Sequence, residues 1–422
     1  MTKPKIAIIG SGISGLTCAY FLADKYNIKL FEKNDYIGGH SNTVTVNYND
    51  KKIPVDTGFI VFNHATYPNL KKFFELLKVE CIASNMSFAA KINGGKFEYA
   101  GTNLGTVFAQ LKNALNPLFW LMLRDILRFN KKAIEILERD FDANYTLKNL
   151  LDELRVKKYF REFYLLPMSG AIWSCPLETM LEYPAQSFVR FFKNHGLLTV
   201  SNQPRWYTVK GGSIEYVKKI IEKIPHKISL NDEVFAVERR SDQTILVRSK
   251  KGEEVFDYVF FAAHGDQVLR MLKNPEKSEF EILSKFKYQP NLAILHSDES
   301  IMPKARKAWA SWVYANNQKS KSNQIAVTYW MNNLQNIDAK YPLFVTLNPA
   351  QEIALKKVFA SFNYEHPIFD SAAVAAQNRI PEIQGTNRIY FCGAYQKYGF
   401  HEDGISSALN ALNKIGVFAP WQ

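Results

Sequence analysis

Cysteine is scarce in this 422-residue chain: only Cys18, Cys81, Cys175 and Cys392 are present. They lie far apart and form neither a C-x-x-C pair nor a Cys/His ligand spacing, which argues against a disulfide framework or a zinc site and suits a reducing compartment. Long apolar runs are missing too, since no span approaches the roughly 20 residues that a membrane helix needs. The apolar run Ile6 to Ile9 is too short for the core of a signal peptide and feeds straight into glycines, so a cytoplasmic protein is expected. No low-complexity tract or internal repeat is present, and disorder is excluded. Acidic side chains are in deficit, 40 against 53 basic ones, a net charge of +13. Such a balance favours anionic partners such as membrane lipid or acidic substrates. The lysines are scattered, however, and no nucleic-acid partner is expected.

What is present begins with a glycine pattern. Lys5 to Ile9 reads as a short strand, Gly10-Ser11-Gly12-Ile13-Ser14-Gly15 as a nucleotide loop, Leu16 to Ala23 as a helix, and Ile28 to Glu32 as the next strand. Gly10 allows the tight turn, Gly12 lets backbone N–H groups approach a pyrophosphate, and Gly15 lets the helix pack close to the sheet. The helix N-terminus supplies its positive end. Glu32, about 20 residues on, stands where a carboxylate bonds a ribose diol, with Lys33 beside it. Gly38-Gly39-His40 then gives a second place for close backbone approach, which a site for NAD alone does not need.

Further along, Ser87 to Ala90 and Lys96 to Tyr99 flank Asn93-Gly94-Gly95, a hairpin signal. From Leu104 to about Gly196 the pattern is helical, broken by Pro117, Pro167, Pro176 and Pro184. A mixed section follows, with a helix near Tyr216 to Ile224 and strands near Val234, Thr244 and Tyr258. A sheet is expected between Leu292 and Phe344, and a last strand at Ile389 to Cys392.

From the glycine loop through Glu32 to Gly38-Gly39, the chain resembles the flavin-dependent amine oxidase and phytoene desaturase superfamily. In that superfamily arginine often follows the Gly-Gly pair; His40 takes its place here. The resemblance continues through Asp56-Thr57-Gly58-Phe59, Val209-Lys210-Gly211-Gly212-Ser213, Val234, the strand Phe256 to Ala263, and the closing segment with Gly393, Asp403, Gly404 and Ile405. It implies FAD as cofactor and a discontinuous α/β architecture. A Rossmann-type FAD-binding domain of the glutathione-reductase-like, amine oxidase type would comprise residues 1–80, 205–270 and 378–422. An interleaved α+β substrate domain would comprise 81–204 and 271–377, with a helical cap around 104–200.

A closer resemblance is to a bacterial branch of predicted NAD/FAD-binding proteins and to the flavin oxidase module of plant cyclopropane fatty acid synthases. It is carried by Gly170-Ala171-Ile172-Trp173-Ser174, Asn194-His195-Gly196-Leu197-Leu198, His366-Pro367-Ile368-Phe369-Asp370 and Gly399-Phe400-His401-Glu402-Asp403-Gly404. The association implies oxidation or desaturation of an apolar substrate, most plausibly a fatty acyl chain. Amine oxidases of the superfamily use two aromatic residues facing each other across the substrate nitrogen, and no tyrosine stands plainly in that place. An amine oxidase, and a non-catalytic flavin-binding partner of a lipid methyltransferase or cyclopropane synthase, remain the alternatives. His401 is the first candidate for proton transfer because the ordinary histidine pKa suits it. Tyr398 and Trp173 are the other candidate catalytic side chains. Residues 117–129, apolar with basic residues interspersed, are a candidate peripheral membrane contact.

Overall fold

The computed structural model describes residues 3–48, 51–139, 145–199, 203–316 and 325–422. Five parallel strands form the nucleotide-type sheet, in the spatial order Ile228–Ser229, Asn27–Phe31, Lys5–Ile9, Tyr258–Phe261 and Ile389–Phe391. Both faces are covered, which is why its strands read as unbroken apolar runs rather than alternating ones. On one face the helices Ile13–Leu22, Pro68–Leu76, Ile214–Lys223 and His401–Lys414 share a core with Ile6, Ile8 and Phe260. On the other, Ala7, Phe31 and Phe261 pack under the antiparallel strands Val234–Arg239, Ile245–Ser249 and Gly252–Phe256 and the helices Gly265–Met271 and Lys277–Leu283.

The first helix starts at Ile13, three residues before the sequence pattern suggests, because Gly12 is its N-cap and Gly15 lies inside its first turn. A Cβ on Gly15 would stand 1.9 Å from the Gly10 carbonyl oxygen, so helix and turn are in direct contact.

A seven-stranded sheet stands apart, in the order Val358–Ile368, Lys287–His296, Phe344–Leu347, Ala326–Trp330, Trp312–Ala315, Phe88–Ile92 and Phe97–Ala100. Its last two strands are the expected hairpin, turned through Asn93, Gly94 and Gly95, all at positive φ. Over this sheet lies a helical cap that includes Pro117–Ile136, Leu147–Glu153, Leu166–Trp173 and Ala185–Asn194.

Three of the four cap prolines begin helices. Pro117 opens one, and Pro176 and Pro184 precede two more. Pro167 does not break its helix as expected. The ladder widens into a π-helical stretch over Arg161–Leu165 and resumes as Leu166–Trp173, which accommodates a residue with no N–H to donate. Among the described residues no helix is long and apolar enough to cross a membrane.

Candidate functional site

The five parallel strands end at one edge of the nucleotide-type sheet, and the loops leaving them carry most of the residues singled out from sequence. Crevices at the carboxyl ends of such strands are where open α/β sheets bind ligands. Here the loops close into a ring. A Cβ on Gly39 would lie 3.0 Å from the Gly12 Cα, so the two glycine segments touch. The His40 carbonyl oxygen accepts from the Phe59 N–H at 2.7 Å, and a Cβ on Gly58 would collide with that same oxygen. Phe59 stacks on the His401 ring at 3.8 Å between centroids. Ser14 Oγ donates to the Gly404 carbonyl oxygen at 3.0 Å and returns the ring to the first helix. Both ends of the chain therefore meet at one place, where Cys18 Sγ also lies 3.7 Å from Cys392 Sγ.

Inside the ring, Gly12 is the open position. No atom lies within 4 Å of the place where its Cβ would stand, and the helix it caps has no side-chain cap on its first N–H groups. An uncapped helix N-terminus facing free space is an anion site. Close by, His40 Nε2 is buried without a hydrogen-bond partner. These features fit the diphosphate of a dinucleotide.

Glu32 is almost completely buried. Its Oε2 accepts from the Ser11 N–H at 3.0 Å and from Ser11 Oγ at 2.6 Å, and its Oε1 from the Asn34 N–H at 2.9 Å. A carboxylate has about four acceptor positions, so one remains for a ribose hydroxyl. The loop before Val234 is tied to the same end, with the Asn231 N–H on the Asn34 carbonyl and the Asp232 N–H on that of Glu32. Lys33 is exposed beside it.

The ring also gathers histidines. His40 stacks on Tyr364 at 4.9 Å and lies 5.4 Å from the His366 ring. Burial pushes the His40 pKa well below the ordinary value, and the neighbouring His366, His264 and His401 push it further. Burial, with His264 nearby, takes His366 down to about 4. Among the described residues no three His, Cys, Asp or Glu side chains are grouped to hold a metal ion.

His401, expected to titrate near neutrality, does not. Burial lowers its pKa to about 3, and its Nε2 is engaged with Ser41 Oγ at 2.9 Å and Tyr216 OH at 3.4 Å. It is a neutral hydrogen-bonding group at the start of a helix, where the dipole also disfavours a positive charge. Asp403 turns inward. Its Oδ2 accepts from the N–H groups of Tyr398 and Phe400, and burial raises its pKa to about 7. Ile405 is core, and the Gly393 N–H is taken by Ser407 Oγ at 2.8 Å. The Thr57 hydroxyl meets Tyr364 OH at 2.7 Å.

Trp173 is not part of the ring. It sits in the cap, 4.6 Å from Phe191, whose other side meets Tyr398 at 5.4 Å and Phe400 at 5.3 Å. Phe191 thus lies between Trp173 and Tyr398. Ser41, Tyr216 and Tyr364 were missed from sequence. One signal was available, because Tyr364 and His366 are two apart on a strand and so share a face.

Residues 8–77 match the family described as NAD(P)-binding Rossmann-like domain. The first half of the ring lies within this matched segment and is similar to a Rossmann-like nucleotide site. No curated protein matches the chain in sequence. Solved structures match it along nearly its whole length. The fatty acid isomerase from P. acnes that produces CLA aligns with a TM-score of 0.69 at 12% identity, covering 98% of this chain and 99% of that one. Cyclohexylamine oxidase from Brevibacterium oxydans IH-35A gives 0.69 at 12%, covering 98% and 100%. Reduced UDP-galactopyranose mutase gives 0.67 at 16%, covering 99% and 94%. The fold is the one these proteins share.

Proposed function

We propose that the chain is an FAD-dependent oxidoreductase acting on an apolar substrate, a fatty acyl chain in the first instance. The observation that carries the FAD reading is the ring itself. A second glycine pair touches the open Gly12, and a segment some 390 residues later closes the site, an arrangement more extensive than a nicotinamide dinucleotide requires. Gly12 and the N–H groups of Ile13, Ser14 and Gly15 would hold the diphosphate, Glu32 the ribose, and His40 a phosphate or ribose oxygen, with Ser11 fixing Glu32. When bound, FAD supplies a hydride acceptor. The chain's own residues orient the substrate and exclude water. His401, neutral and pinned by Ser41 and Tyr216, is positioned to hold a hydrogen bond rather than to exchange a proton at neutral pH.

The wall facing the closing segment supports an apolar substrate. Phe191, Phe188, Phe192 and Trp173 are buried there together, and Phe400 lies stacked against Phe191. Tyr398 and Phe400 both pack against Phe191, and no tyrosine stands plainly in the place before the closing glycines where an amine cage draws one of its two aromatics. The isomerase and mutase among the similar structures mark the fold as compatible with chemistry beyond oxidation.

Purified protein should release FAD on denaturation, and its flavin absorbance should bleach anaerobically when an unsaturated fatty acyl substrate is added. Bleaching by polyamines or cyclic amines but not by acyl chains would overturn the substrate reading. A protein that takes up no FAD would overturn the cofactor reading.

A further inference from the structure

One surface is left unexplained by the ring. Of the large apolar side chains exposed among the described residues, half lie within residues 104–134. Leu104, Leu111 and Leu115 are 77, 82 and 87% exposed. A soluble surface scatters such residues singly, and a cluster marks a contact. They belong to one corner of the molecule. Phe108 packs on Trp120 at 5.2 Å, and the Trp120 indole Nε1 donates to the Ala114 carbonyl at 2.8 Å, so the short helices before Pro117 are fastened to the long one.

The long helix Pro117–Ile136 divides by face. Phe119, Met122, Asp125, Phe129, Ala133 and Ile136 are buried. The opposite face carries Trp120, Leu127 and Ile134 at seven-residue spacing, all exposed, with Arg124, Arg128 and Lys131 exposed between them. Lys112 adds a cation beside Leu111. Asp125 is fully buried and takes the Arg124 guanidinium at 3.0 Å and the Lys157 N–H at 2.9 Å, and Glu135, the other acid of this helix, is paired with Lys132 at 3.0 Å. An outward apolar stripe flanked by cations in excess over acids is the pattern of a helix lying in a bilayer interface, where tryptophan also concentrates.

We propose that this face of the cap docks on an anionic lipid surface, inserting Leu111 and Leu115 with the Trp120 and Leu127 stripe and placing Lys112, Arg128 and Lys131 at the headgroups. Charge selects the occupant. A second copy meeting this face symmetrically would set like charges against each other, whereas anionic headgroups neutralise all of them. The proposal is independent of the FAD reading, because none of these side chains belongs to the ring.

The test is sedimentation of the full chain with vesicles of phosphatidylcholine alone or mixed with phosphatidylglycerol. Binding is expected to the mixed vesicles at low salt, and to be roughly tenfold weaker or more on neutral vesicles or at high salt. The variant Leu111→Ser with Leu115→Ser should lose at least about tenfold in binding, and Arg128→Glu with Lys131→Glu should do the same, each with an unchanged thermal midpoint because the sites are exposed. Three results would each overturn the proposal: no sedimentation with anionic vesicles, binding that ignores both variants, or a solution dimer that the leucine variant dissociates.

Discussion

The ring of loops and the helical cap meet at Phe191, yet they are specified on opposite terms. In the ring, residue identity is imposed by backbone. Gly10 and Gly38 sit at positive φ, Gly15 and Gly58 have no room for a Cβ, and polar groups such as Glu32 and Asp403 are buried and held by N–H donors. In the cap, the long helix buries mainly apolar side chains, and any residue of the right size and polarity would satisfy most of its positions. A site built of unique requirements advertises its chemistry, and a wall built of interchangeable ones withholds its substrate.

The sharpest way to break the contrast is within the ring itself, where two glycines do different work. Gly12 has open space around it, whereas a Cβ on Gly15 would overlap the Gly10 carbonyl. Gly12→Leu should leave the thermal midpoint nearly unchanged and remove the close approach of at least two N–H groups to a diphosphate. At about 1.5–3 kcal/mol for each charge-assisted bond, that is a loss of roughly 100-fold or more in FAD affinity, read by equilibrium titration. Gly15→Ala should instead destabilise the protein by about 3 kcal/mol or more through overpacking, read by denaturant unfolding. If both variants lost affinity and stability together, the division of roles would be wrong.

The cap should answer in the reverse sense. Phe191 is buried against Trp173, Phe192, His195, Tyr398 and Phe400. Phe191→Ala should cost about 3–5 kcal/mol of stability while FAD affinity changes little, since no ring hydrogen bond passes through it. Unfolding with and without FAD, beside a flavin titration, separates the two quantities. A loss of FAD affinity comparable to that of Gly12→Leu would show that the cap helps to hold the cofactor.

This asymmetry explains what could be read beforehand. Gly10, Gly12, Gly15, Gly38 and Gly39 were legible because each answers a local backbone demand, and the strand at Lys5 to Ile9 because apolar runs of that length have few other uses. Ser41, Tyr216 and Tyr364 were not. They are ordinary polar residues whose meaning arises only when segments 185 to 360 residues apart are folded together around His40 and His401. His401 itself was found, but its burial, and with it the loss of its neutral-range pKa, depends on the stacked Phe59 and the helices around it. Pro167 misled for a similar reason, because a π-helical stretch absorbs a residue that would otherwise end a helix.

The smallest effect separates two buried acids. Asp125 in the cap is answered by the Arg124 guanidinium, while Asp403 in the ring is held by the N–H groups of Tyr398 and Phe400, with no ion pair on its carboxylate and the opposing charges of Lys397 and Glu402 near it. Burial therefore raises the Asp403 pKa from 3.8 to about 7. The folded protein then holds this proton more tightly than the unfolded chain, so the contribution to stability is complete below about pH 4 and is lost as pH rises through 7. Asp403→Asn keeps an acceptor for the two N–H groups and cannot ionise. In cofactor-free protein the variant should match the wild type at about pH 4 and exceed it in thermal midpoint by a few degrees at pH 8. A difference that stays constant across that range would mean that Asp403 is already ionised in the fold, and that the ring tolerates an unpaired buried charge where the cap supplies a partner.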